Sequence, residues 1–224
     1  YAYGNLSGAV TSGRFSLLGA ASCRRSDGYR HNTDFSNYNA FVRATCDGGR
    51  AGFFDLQAGW QDRDFGSNGF FAAYNPDQWE HTATALASLR WIKSAGRFSL
   101  GAAASYRKNF DRYDWTRGTP MNRHNTDNAG AKAWADCDWA AGKTSLGADW
   151  AFNHIYSTNL GEKLAVPEGH YTHAKARHTG NLWLRHAKAW RRFDMAASAG
   201  VSLTPYGTSA LWGLSAGWTP AEGL

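Results

Sequence analysis

Alternation with a period of two constrains this chain more than any other feature. From Arg97 to Arg107, Phe98, Leu100, Ala102, Ala104 and Tyr106 fall on one side of an extended backbone. Arg97, Ser99, Gly101, Ala103, Ser105 and Arg107 fall on the other. Successive side chains of a strand point to opposite faces, so one face is apolar and the other polar or nearly bare. A soluble sandwich fills its apolar face with branched residues that interdigitate. Here that face is mostly Ala and Leu, with Trp, Phe or Tyr toward its ends. The opposite face, rich in Ser, Gly, Asp, Arg and Asn, is too small and wet to form a core. The pattern predicts an all-β fold, an antiparallel transmembrane β-barrel with lipid outside and water inside.

Short turns punctuate the alternation at Thr11-Ser12-Gly13, Asp47-Gly48-Gly49, Ser94-Ala95-Gly96 and Ala140-Ala141-Gly142. A basic turn lies near Trp190-Arg191, and a last one begins at Thr219-Pro220. Glycine in such turns supplies the positive φ of tight hairpins. Longer connections are expected over about residues 24–36, 62–78, 108–126, 153–176 and 204–208. Short turns at one end and long loops at the other match the asymmetry of outer-membrane barrels. About eleven strands are predicted, over 2–10, 14–23, 37–47, 51–62, 79–93, 97–107, 128–139, 143–153, 178–188, 192–203 and 208–218. An odd count leaves a barrel open, and implies strands beyond this segment. The ninth is ambiguous, with Trp183 and Arg185 on one face and Leu182 and Leu184 on the other. A turn spacing of about 46 residues also suits a propeller blade, but a blade needs four short strands where this chain has two long ones. Arg30-His31-Asn32-Thr33-Asp34 returns as Arg123-His124-Asn125-Thr126-Asp127. Serial hairpin duplication explains the repeat, and each copy is expected where a long loop feeds a strand.

The mean hydropathy of −0.52 does not exclude a membrane, because half of each barrel strand faces water. No run approaches the roughly 18 apolar residues of a spanning helix. The formal charge of +6 is spread over aromatic loops rather than along one stripe, which argues against nucleic acid as a partner. It suits contact with lipid and with anionic lipopolysaccharide. Cys23, Cys46 and Cys137 form no CxxC pair and fall on the apolar face, so no metal site is expected from them. No catalytic motif for nucleophile, metalloprotease, P-loop or dinucleotide chemistry occurs, and the chain is not expected to be an enzyme or to carry a cofactor. His170 and His173 read as loop histidines. Asp62, Asp64 and Asp77 match no calcium-loop spacing. Arg43, Asp55, Arg90, Lys132, Asp136, Asp149 and Asp194 fall on the polar face, where they can pair across strands.

Aromatic residues make up 15% of the chain, and eleven of them are Trp. Some belong in interfacial girdles, but Phe70, Phe71, Tyr74, Trp115 and Tyr156 fall in expected loops beside Asn75, Arg117, Asn153 and His154. Rigid rings with convergent polar groups form the usual site for an organic ligand. These nine residues are the candidate ligand site.

The stretches Asp111–Lys132 and Leu146–Glu162, with Ser26–Phe35 upstream, resemble the barrel of TonB-dependent outer-membrane receptors, nearest the cobalamin-receptor-like branch. The resemblance covers most of residues 1–218. It implies a barrel of roughly 22 strands, of which residues 1–224 would be a part, closed around a plug domain that this chain lacks. It also implies active transport of a scarce organic or metal-chelate ligand, cobalamin- or siderophore-like, across the outer membrane of a Gram-negative bacterium. The energy would come from a TonB complex, and a surface lipoprotein is a further possible partner. A small complete porin or adhesin, and a soluble glycan-binding β protein, are the alternative readings.

Overall fold

Each of the five expected hairpins forms around its short turn. A computed structural model describes residues 1–220. Its strands are β1 (Ala2–Ser12), β2 (Phe15–Ser26), β3 (Phe35–Asp47), β4 (Phe53–Gly66), β5 (Trp79–Ala95), β6 (Phe98–Thr116), β7 (Thr119–Trp139), β8 (Gly142–Ser157), β9 (Glu162–Glu168), β10 (Tyr171–Trp190), β11 (Phe193–Thr204) and β12 (Gly207–Trp218). A 3₁₀ turn, Gly49–Ala51, joins β3 to β4. Gly13 and Gly96 take φ of 56° and 58°, conformations that a side chain resists, and so let the chain reverse within two residues. The final turn expected beyond Pro220 lies outside the described residues.

All twelve strands make one antiparallel sheet in chain order, with β9 off the main path. The sequence suggested about eleven strands, and β9 is the addition. Residues 173 and 174 of β10 pair with β8 and also with Lys163 and Glu162 of β9. Strand β9 therefore takes the edge of β10 that β11 occupies from Gly180 onward. Strands β1 and β12 are the two ends of the path and do not pair with each other.

The connections are shorter than expected at three places. Strands β6 and β7 continue to Thr116 and Thr119, so most of 108–126 is a β-ribbon with a two-residue turn. The expected loop 153–176 is largely the end of β8, all of β9 and the start of β10, and 204–208 shrinks to Pro205 and Tyr206. At 19, 21 and 20 residues, β6, β7 and β10 are about twice the length a tilted strand needs to cross a bilayer. Outside the membrane no face must be greasy, so pairing continues while the alternation fades.

Register fixes the two faces. One row runs Leu17, Ala44, Leu56, Leu89, Ala104, Ala131, Trp150 and Gly180 across β2 to β10. Leu182 and Leu184 share this face, which resolves the ambiguous strand, and so do all three cysteines. Aromatic rings flank the apolar band, with Phe54, Phe98 and Phe193 near the short turns and Tyr38, Tyr106 and Phe152 toward the loops. No hydrophobic side chain is buried among the described residues, although Leu56, Leu89, Leu146, Leu184 and many others are well exposed. A soluble domain of this size buries a core. This sheet spreads most of its aliphatic side chains over one outer surface, as lipid contact requires.

The inner face carries a row of a different kind. Gly101, Trp134, Gly147, Trp183 and Gly200 are consecutive register partners across β6, β7, β8, β10 and β11. The indole of Trp134 occupies the space a Cβ on Gly101 would need, and Trp183 does the same to Gly147. Each tryptophan lies flat against the strand beside it because its direct neighbour has no side chain.

Candidate functional site

Three connections at the loop end are tied into one body. Turn-forming residues in Ser67-Asn68-Gly69 and Asn75-Pro76-Asp77 fold the β4–β5 loop, residues 67–78, back on itself. Its centre is Gln78, which is fully buried. The Gln78 side-chain oxygen accepts from the Phe71 and Ala72 amides at 3.1 and 3.3 Å. Its backbone carbonyl accepts from Ser67 N at 2.7 Å and from the Asn32 side-chain amide at 2.5 Å. Asn32 also donates to Pro76 O at 2.9 Å, and Asn68 donates to His31 O. His31 Nε2 meets Asp77 Oδ1 at 2.6 Å. The loop between β2 and β3 is thereby fastened to the loop between β4 and β5.

Arg117, in the β6–β7 turn, closes the third side. Its amide donates to Asp77 O at 2.9 Å and its Nη1 to Asp34 Oδ1 at 2.8 Å. The Arg117 hydrogen bond holds the Asp34 carboxyl below the ordinary carboxylate range and raises the guanidinium in return. Beneath it, Asp114 is fully buried. It takes two bonds from Arg112, both 2.8 Å, and one from Gly118 N at 2.8 Å. Arg112 and Arg117 also lie over the Trp79 ring, at 5.3 and 5.8 Å.

Six of the nine candidate residues meet on this body. Phe71 packs edge-on against Phe70 at 4.9 Å and against Tyr113 at 5.0 Å. Tyr74 leans on Trp115 at 5.9 Å. Phe70 and Tyr74 remain 80% and 82% exposed, so their outer faces are free to stack on a ligand. Asn75 and Arg117 also bind neighbouring segments of the body together. The Asn75 amide donates to Trp115 O at 2.6 Å and so fixes the ring that Tyr74 leans on.

Asn153, His154 and Tyr156 are not in a loop. They belong to β8, with Asn153 on the inner face and the other two on the outer. His154 stacks on Phe152 at 6.1 Å and meets Tyr156 at 4.4 Å, with Asp127 at 3.9 Å. Polar composition alone suggested a loop there, but pairing with β7 reaches His124 opposite Ser157. The three acids of the Asn/Gly-rich segment also part company. Asp62 meets His81 at 3.1 Å, Asp64 accepts from Ser36, and Asp77 meets His31. His173 lies in β10 rather than in a loop, 3.2 Å from Thr158 O. Among the described residues no three His, Cys, Asp or Glu side chains converge as metal ligands do.

Register also brings together residues that composition did not single out. Arg24, Asn37, Arg63, Thr82, Asp111, His124, Ser157 and His173 form one inner-face row across β2 to β10, toward the loop end. Counting in twos from each short turn would have found it. Nearer the short turns, Arg43, Asp55, Arg90, Lys132, Asp136, Asp149 and Asp194 all lie on the inner face as expected. Arg43 grips Asp55 with bonds of 3.0 and 2.6 Å, and Lys143 lies 3.3 Å from Asp136.

No family model matches the chain, and no curated protein sequence matches it. Solved structures do. The siderophore receptor PirA from Pseudomonas aeruginosa superposes with a TM-score of 0.70 at 11% identity, over 97% of this chain and 36% of its own. The copper transporter OprC gives 0.67 at 14% identity, over 96% and 39%. The ferric citrate transporter FecA, in its unliganded form, gives 0.65 at 11% identity, over 98% and 39%. The chain therefore spans little more than a third of the length of each. At such identities the likeness is one of fold: this antiparallel sheet is laid out like part of each of these structures.

Proposed function

We propose that residues 1–224 are a partial barrel domain of an outer-membrane active-transport receptor for a scarce organic or metal-chelate ligand. On this reading the apolar face meets lipid, the inner face lines the lumen, and the tied loops 27–34, 67–78 and 117–118 form the extracellular mouth. Phe70, Phe71, Tyr74 and Trp115 would hold the ligand, with Asn75 and Arg117 fixing the platform. The plug and the TonB-dependent energy supply belong to other parts of the system. Cobalamin-like and siderophore-like ligands both suit an aromatic platform, and the solved structures include a siderophore receptor and a ferric citrate transporter.

The observation that carries the proposal is a twelve-stranded sheet with no buried apolar core among the described residues and with in-register rows of exposed large apolar side chains along its outer face. The test uses the full-length polypeptide in lipid. Ala102→Arg, midway along the outer row from Phe98 to Tyr106, is expected to cost about 2–4 kcal/mol in reversible unfolding. Ser99→Arg is the inner-face control, since its register partner is Asp136, and is expected to cost well under half as much. Gly101 is unsuitable as a control because Trp134 covers it. Equal costs would refute the lipid-facing assignment. For the mouth, the pair Phe70→Ala and Tyr74→Ala is expected to weaken capture of labelled cobalamin or ferric siderophore by cells about tenfold or more. Unchanged capture would remove these rings from the site.

A further inference from the structure

The inner wall holds two cations that, among the described residues, close no ion pair, although an acid stands directly opposite each of them. Arg90 on β5 is the register partner of Asp55, and Lys132 on β7 is the register partner of Asp149. Neither pair closes. Asp55 is taken by Arg43, in two bonds of 3.0 and 2.6 Å, and also receives Gln57 at 3.4 Å. Asp149 accepts from the Asn181 amide at 2.6 Å. Arg90 and Lys132 turn instead toward the ring of Trp134, at 6.0 and 5.3 Å from its centre.

Between the two cations there is almost nothing. Ala103 on β6 separates them in the same register row, so they stand two strand spacings apart, roughly 10 Å. The next row toward the loops is Ser88, Ser105 and Gly130. A recess of about 590 Å³ lies here, with Arg90, Lys132, Trp134, Asp55 and Asp149 around it and Ala103 and Ser105 between them, and residues of the outer row, Leu89 and Trp150, also line it. With Arg43 included, three cations face two committed carboxylates, which leaves one positive charge in excess. The Trp134 ring is itself anchored over Gly101, so both cations are braced from one side and open from the other.

We propose that this recess is an anion site for a carboxylate-bearing group, held between the Arg90 guanidinium and the Lys132 ammonium. The guanidinium offers a two-pronged donor set and the ammonium a point charge, and a carboxylate can accept from both. The proposal rests on the reading of this face as the lumen. The carboxylate has two possible sources, anionic cargo or an acidic side chain of whatever protein segment fills the lumen.

The test uses the full-length polypeptide in outer-membrane vesicles, with Cys23, Cys46 and Cys137 changed to Ala and Ala103→Cys introduced. Anionic, cationic and neutral water-soluble thiol reagents are then compared at position 103. The anionic reagent is expected to react faster than the cationic one, and Arg90→Gln with Lys132→Gln to lower that ratio about tenfold. A solution anion as source shows as citrate slowing the neutral reagent, an effect lost in the double variant. An internal acid as source shows as slow neutral labelling without citrate that the double variant accelerates. Labelling with no charge preference, or a preference the double variant leaves intact, overturns the anion site while keeping the lumen. A thiol reached only by lipid-soluble reagents overturns the lumen reading itself.

Discussion

The two copies of Arg-His-Asn-Thr-Asp share five residues and almost nothing else. In the first, residues 30–34 form a loop in which Asn32 takes φ of 51° and its side chain bonds two carbonyls of the neighbouring loop. In the second, residues 123–127 are extended within β7, with His124 Nδ1 2.8 Å from Ser157 Oγ and Asp127 receiving Tyr106 and Lys108. The difference lies in the partners. β7 has β6 and β8 on either side up to this level, so its backbone groups are satisfied by strands. Residues 30–34 stand where β2 has ended and β3 has yet to begin, and turn to side chains for the same bonds. Local sequence permits both outcomes, and tertiary pairing chooses.

The comparison can be broken at matched positions. The largest expected effect is at the asparagines. Asn32→Val forces a branched residue into the left-handed region, at roughly 1–2 kcal/mol, and removes two side-chain bonds at about 1 kcal/mol each. Hydrogen exchange should therefore show residues 67–78 losing protection by about 3 kcal/mol. Asn125→Val, in a strand where branched residues fit, should change exchange by less than about 0.5 kcal/mol. Similar losses at both would show that the copies are not held differently.

A middling effect is expected at the histidines. His124→Ala removes the bond to the fully buried Ser157 hydroxyl, worth about 1 kcal/mol, and its loss should be confined to the β7–β8 ribbon. His31→Ala removes a contact between two well-exposed groups, and should leave exchange in 67–78 nearly unchanged.

The smallest effect is a pH dependence that only the first copy should bring to the loops. Arg117 lowers the Asp34 pKa in the folded protein, so the stabilising contribution is present above the unfolded value and lost as pH falls through the folded one. Both groups are partly exposed, so the contribution is under about 1 kcal/mol. Protection of 67–78 should decline as pH drops below about 4, and Asp34→Asn should flatten the profile. A flat profile in the unaltered protein would remove Arg117–Asp34 from the forces that hold the tied loops.

The membrane-crossing stretches of the strands were legible because lipid imposes a rule on every second residue. Phe98 to Tyr106 shows it plainly, and the outer row follows from it. The extensions of β6, β7, β8 and β10 beyond it obey no such rule. His154 and Tyr156 continue β8 without any apolar signature, and so read as loop. The exposed rings of the 67–78 loop were legible as composition, but the framework that holds them was not. Gln78 at the centre of the 67–78 loop and Asp114 beneath Arg112 are ordinary polar residues until distant segments close on them. Arg90 and Lys132 showed their face in the sequence. Only cross-strand geometry shows that their opposite acids are already engaged.

The alternating row of Gly101, Trp134, Gly147, Trp183 and Gly200 carries a consequence for how this sequence can drift. A methyl added at position 101 or 147 strikes an indole, while a smaller ring at 134 or 183 uncovers bare backbone. Neither member of such a pair can be exchanged alone without a penalty, so 101 with 134 and 147 with 183 are free to change only together. The alanines on the lipid side are under no such bond, since a fluid solvent adjusts to whatever apolar shape they become. Among related sequences, correlated replacement should therefore mark the inside of this wall and independent replacement its outside.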